Sequence, residues 1–168
     1  MTSIFLGIDP GMTGAIAIID PVLSKGVGFY DTPVVNIGKK GQVKHEYDTQ
    51  EMASVLREFA ECRPAYVFIE RQQAMPDQGV SSTFATGRGY GLWLGILTAL
   101  GIPYEVIAPV TWKKKLMADM SKEKGASIIV AKRLFPQVAD DLKLKKHHGR
   151  ADALLLAEFG RRRMLGAA

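Results

Sequence analysis

The sequence predicts an α/β fold: a five-stranded mixed sheet flanked by helices. Three observations predict it. Short β-rich runs at 4–9, 14–19 and 26–30 are separated by brief turn segments around Pro10-Gly11 and Pro21, which makes them antiparallel neighbours. A helical period over 49–61 then leads through Pro64 into the apolar run Ala65–Glu70, and strand, helix, strand at this spacing is a crossover that lays the fourth strand parallel to the first. A fifth run, Tyr104–Ile107, follows a long helical segment and extends the parallel part of the sheet.

Each element has its local reason. Met52, Val55, Leu56 and Phe59 share one face of the first helix, with Asp48 or Thr49 as its N-cap. Residues 33–47 are polar and contain Gly and Lys, which reads as a long loop or an irregular edge. A polar loop over 71–79 precedes a second helix over 80–100, where Gly87, Gly91 and Gly95 recur every four residues. Glycine inside a helix costs about 1 kcal/mol relative to alanine, so the stripe calls for a compensating close contact, either within the chain or with another subunit. Pro109 opens a helical turn through Trp112 to Lys115, and Ser121 caps a further helix that Pro136 ends. Residues 136–147 read as a charged loop, and the last helix spans 149–164 with Arg161, Arg162 and Arg163 at its C-terminal end, where cations complement the dipole.

At 168 residues and 47% apolar content, the chain is expected to form one domain over residues 1–168. The single Cys62 and three histidines provide neither a disulfide nor a zinc framework. The sequence near Met1 has no signal-peptide pattern, and the uncharged stretch over 89–103 falls short of the ~18 residues of a membrane span. The expectation is a cytoplasmic protein, in a bacterium or a phage-infected host, without membrane association. Net charge is +5, but residues 1–84 hold 7 Lys/Arg against 10 Asp/Glu while residues 85–168 hold 15 against 7. A basic half beside an acidic one suits a polyanionic substrate processed by carboxylate chemistry.

Two acids close strands. Asp9 ends Ile4–Asp9 and Glu70 ends Ala65–Glu70. On parallel neighbours about 4.8 Å apart their carboxylates stand side by side, an arrangement that demands a cation. Asp152 opens the apolar stretch of the last helix, and His148 lies four residues earlier on the same helical face; His147 is an adjacent alternative. Oxygen donors suit a hard divalent ion such as Mg²⁺, and imidazole is compatible with Mg²⁺ or Mn²⁺ sites.

The ordered set Gly7-Ile8-Asp9-Pro10-Gly11, Phe68-Ile69-Glu70 and His148-Gly149-Arg150-Ala151-Asp152-Ala153 resembles the RuvC-type Holliday junction resolvases of the ribonuclease H-like superfamily, especially their bacteriophage branch. The resemblance covers essentially the whole chain. It implies a homodimeric endonuclease that resolves four-way DNA junctions by a two-metal mechanism leaving a 5′-phosphate. Asp9, Glu70, His148 and Asp152 are then the catalytic and metal-ligating set, with two Mg²⁺ per site and Mn²⁺ as a substitute. The chain departs from the cellular enzymes at Gly149, where they usually carry Asp, and at Gln73, where they carry an aromatic residue that probes the branch point. Lys113 and Lys114 match a stretch that contacts backbone phosphate, Lys122 and Lys124 fall in a second such segment, and Arg150 stands where it could clamp the scissile phosphate. Arg71 and Gln73 complete the expected DNA-contacting set, and the 80–100 helix is the expected dimer interface. The rival readings are an RNA–DNA hybrid or other branched-DNA nuclease on the same fold, a non-catalytic junction-binding protein, and an actin-like ATPase, which would need a second such domain.

Overall fold

The computed structural model describes residues 3–38, 44–118, 120 and 125–166. Its elements are strands β1 (Ile4–Asp9), β2 (Ala15–Ile19), β3 (Val27–Asp31), β4 (Val34–Ile37) and β5 (Lys44–Tyr47), helix α1 (Thr49–Cys62), strand β6 (Ala65–Glu70), helix α2 (Val80–Ala99), strand β7 (Tyr104–Ile107) and helices α3 (Pro109–Leu116), α4 (Ala126–Leu134) and α5 (His148–Met164). Five strands form the main sheet in the order β3-β2-β1-β6-β7. The first three are antiparallel, whereas β6 is parallel to β1 and β7 to β6, as the connections in the sequence predict.

Alternation along the strands divides the core between the two faces of the sheet. Leu6, Ile8, Val67 and Ile69 point to α1 and α2, where they meet Met52, Leu56, Trp93 and Leu97. Phe5, Ala15, Ala17, Phe68 and Ile107 point the other way, to Trp112 of α3, Val130 of α4 and the apolar face of α5. Asp48 caps α1, its carboxylate accepting the Glu51 N–H at 3.0 Å. Among the described residues, no helix is long and apolar enough to cross a membrane.

Helix α5 lies directly on β1 because glycines remove the side chains that would hold it off. A Cβ on Gly7 would collide with the carbonyl oxygen of Ala153, and one on Gly149 would meet the Thr13 carbonyl oxygen at 2.5 Å. The start of α5 therefore rests against the turn that follows Asp9.

Three expectations change. Residues 33–47, read as a loop or irregular edge, contain the separate hairpin β4–β5; every residue of Val34–Ile37 is exposed, so no buried alternation announces it. The charged loop at 136–147 is mostly two short 3₁₀ turns, Pro136–Leu142 and Lys145–His147, anchored by buried Val138 and Leu142. The glycine stripe of α2 makes no close contact among the described residues: a Cβ on Gly87, Gly91 or Gly95 would meet none of their atoms within 4 Å outside its own helix. The tight glycine is Gly89, whose missing side chain makes room for the Tyr47 hydroxyl. The expected cap Ser121 lies outside the described residues, and α4 is described from Ala126.

Gly7→Ala should push α5 off β1 and cost about 1–3 kcal/mol or more of stability. Urea unfolding measures this, and a midpoint equal to that of the unsubstituted chain would contradict the backbone contact.

Candidate metal centre

Ile8 pairs with Ile69 across the parallel β1–β6 ladder, so Asp9 and Glu70 are the next residues on adjacent strands. Beyond Asp9 the chain turns sharply, with the Gly14 N–H bonded to the Gly11 carbonyl at 2.9 Å, and the Gly11 N–H supports the Asp9 carboxylate. The close seating of α5 completes the site. Ligand atoms of Asp9, His148 and Asp152 all lie within 4.8 Å of one another.

These acids are crowded in a poorly solvated place. Burial, followed by the charges of Asp152 and Glu70, pushes the Asp9 carboxyl up to about 7. Glu70 is raised chiefly by burial, with Asp152 adding to it while Lys113, Trp112 and Gln72 oppose. Asp152 is also raised by burial, against a Ser127 hydrogen bond and the charges of Lys113 and His148. Its Oδ1 is buried and has no hydrogen-bond partner among the described residues. Hard oxygen donors, mutual repulsion and an unpartnered buried oxygen together fit a divalent cation.

Glu70 is not one of the three residues whose ligand atoms converge within 4.8 Å, and both its carboxylate oxygens are engaged. Oε1 accepts from the Trp112 indole at 3.0 Å, and Oε2 accepts from the Gln72 amide at 3.3 Å. The two histidines part company. His148 joins the acids, whereas His147 is turned back on its own 3₁₀ turn, its Nδ1 accepting the Leu144 N–H at 3.4 Å. Burial, then the charges of Arg150 and Lys146, lowers the His147 pKa.

The basic residues divide in the same way. The charge of Lys113 acts on Asp9, Glu70 and Asp152 alike. Lys113 and Lys114 line a cleft of about 760 Å³ that reaches Ser127 and Asp152. Arg71 and Gln73 are exposed on the loop after Glu70. Lys122 and Lys124 lie outside the described residues. Arg150, expected as a phosphate clamp, bonds the two Asp31 oxygens through Nε and Nη2 at 2.6 and 2.7 Å and the Asp141 carbonyl through Nη1 at 3.1 Å. These bonds brace α5 against β3.

Trp112, Gln72 and Ser127 contact the acids and were not expected there. Gln72 is two residues from Glu70, the one local signal; the other two reach the site only through the packing of α3 and α4.

Part of the chain has a curated relative. Over 110 residues, 64% of the chain, it is 36% identical to "Holliday junction resolvase MOC1, chloroplastic" of Chlamydomonas reinhardtii, and the match spans 12% of that protein's length. No family model matches the chain. Among solved structures, RuvC of T. thermophilus in complex with a Holliday junction substrate aligns with a TM-score of 0.61 at 17% identity, covering 98% of this chain and 97% of that one. A second Thermus thermophilus RuvC structure aligns with a TM-score of 0.54 at 19% identity, covering 98% of each chain. The chain has the RuvC form of the ribonuclease H-like fold.

The raised Asp9 pKa has a stability consequence. Between its ordinary 3.8 and about 7, the metal-free folded chain holds a proton that the unfolded chain releases. That stabilisation is complete below the lower value and is lost as pH rises through the upper one. Urea midpoints of the chelator-treated protein should fall across this window, and Asp9→Asn should flatten the fall. A profile that Asp9→Asn leaves unchanged would refute the burial of this carboxyl.

Proposed function

We propose that this chain is a structure-selective endonuclease that resolves four-way DNA junctions by paired, divalent-metal-dependent hydrolysis of phosphodiesters. The observation that carries the reading is the convergence of Asp9, Asp152 and His148 within 4.8 Å, beside Glu70, at the strand ends of a RuvC fold. Identity over part of the chain to a protein named a Holliday junction resolvase supports the choice of substrate, as does the likeness to RuvC solved with a junction.

Asp9, Glu70, His148 and Asp152 would hold two Mg²⁺ ions, for which Mn²⁺ would substitute. When bound, such ions supply Lewis-acid stabilisation of the charge that develops on the phosphate and acidify the attacking water. His148 is exposed and would either complete the shell of one ion or relay the water's proton to solvent. Attack on phosphorus breaks the bond to the 3′-oxygen, which takes up a proton, and leaves a 5′-phosphate. Lys113 would balance the charge of the scissile phosphate, and Lys114 would hold the strand along the cleft that leads from Asp152. Lys122 and Lys124 would add further phosphate contacts, while Arg71 and Gln73 would face the branch.

A junction has two-fold symmetry, and paired nicks need two sites. The exposed face of α2 would supply the dimer contact. Val80 and Phe84 are 87% and 71% exposed there, and they lie on one stripe with the open Gly87, Gly91 and Gly95. Absent side chains along such a stripe allow two helices to approach closely.

Incubating the protein in Mg²⁺ with a four-way junction, a duplex and an RNA–DNA hybrid should give paired symmetric nicks in the junction alone, abolished by chelator. Asp9→Asn should end cleavage while leaving junction binding intact. Hybrid cleavage, or near-normal turnover by Asp9→Asn, would overturn the assignment. In sedimentation velocity the wild type should run as a dimer and Phe84→Glu as a monomer; a monomeric wild type would remove α2 as the interface.

A further inference from the structure

Glu70 owes its orientation to a helix distant from it in sequence. Pairing of β6 with β7 aligns Glu70 with Ile107, and the Arg71 N–H bonds the Ile107 carbonyl at 2.8 Å. Helix α3 starts two residues later at Pro109, so its first turn rises beside the Glu70 carboxylate. Trp112 closes that turn. Its ring is completely buried in the core layer shared with α5, and its indole N–H meets Glu70 Oε1 at 3.0 Å.

The chemistry of the donor matters. An indole N–H donates one hydrogen bond, accepts none and carries no charge. It fixes one oxygen of a carboxylate without neutralising it, whereas a lysine or arginine in its place would compete with a cation. Packing locks the ring, so the carboxylate is held by a rigid arm rather than a mobile one. Trp93 provides a contrast across the sheet. It is equally buried, yet its indole nitrogen has no hydrogen-bond partner among the described residues.

We infer that Trp112 is the positioning residue of Glu70: its neutral indole N–H holds Oε1, the Gln72 amide meets Oε2 at 3.3 Å, and the lone pairs that neither engages are left to a divalent cation. The inference rests on the metal-centre reading given under Proposed function. It also gives α3 two tasks, since the next residue, Lys113, acts on the same acids by charge.

The test uses the full chain labelled with ¹⁵N and titrated with Mg²⁺ in the absence of DNA. Two indole N–H signals are expected, assigned with Trp93→Phe. The Trp112 signal should move as Mg²⁺ binds, and the Trp93 signal should stay. By calorimetry, Trp112→Phe should bind Mg²⁺ about 10- to 100-fold more weakly, the usual cost of losing an outer partner of a metal ligand. Trp93→Phe trims the same amount of buried ring and should leave Mg²⁺ affinity unchanged, which separates positioning from general loosening of the core. If Trp112→Phe does not fold, the titration of the unsubstituted chain still decides. A stationary Trp112 signal at saturating Mg²⁺, or unaltered affinity in a folded Trp112→Phe, overturns this inference and leaves the metal centre standing. A wild-type chain that takes up no Mg²⁺ overturns both.

Discussion

Everything at the candidate site depends on how near α5 comes to β1. A helix packed over ordinary side chains on a strand would be held off by them, too far for a short acid on the helix to share a cation with an acid ending the strand. Here Gly7 yields its place to the backbone of Ala153, and Gly149 yields to the Thr13–Gly14 turn. Asp152, lying between these two contacts on α5, is thereby delivered to Asp9. Chemistry at the strand ends is thus prepared by atoms missing a full helical turn away from it.

That closeness sets up an electrostatic conflict that the surroundings reduce but do not remove. Burial raises all three carboxyls, and the supports around them are mostly neutral: an indole, an amide, a serine hydroxyl and a backbone N–H. Lys113, which lines the cleft, contributes the charge that opposes this rise. Neutral supports fix geometry without quenching the negative field. Such a site keeps its attraction for a cation while its ligands remain aimed.

Sequence alone disclosed the scaffold well, because its signals were local: short turns between β1, β2 and β3, the amphipathic period of α1, and apolar runs ending in Asp9 and Glu70. It named the residues that the fold brings together, since strand ends and the start of a helix are legible one segment at a time. What it missed depends on contacts between distant segments. The β4–β5 hairpin carries no buried face on β4, and Arg150 meets Asp31 only after α5 has docked. The choice between His147 and His148 turned on one residue of helical phase, fixed by the 3₁₀ turn at Lys145–His147. The glycines of α2 show that a period can be read correctly while its partner remains invisible: Gly89, off the stripe, is the one pressed against Tyr47.

The pairing of Arg150 with Asp31 has a consequence for how the molecule meets changing acidity. Guanidinium stays protonated at any biological pH, and its hydrogen bonds hold Asp31 below the usual carboxylate range. The strut between the outer strand and the last helix therefore endures through the very interval in which neighbouring Asp9 gains or sheds its proton. In the metal-free chain, acidification toward neutrality would therefore drain the centre of negative charge while the frame around it keeps its shape.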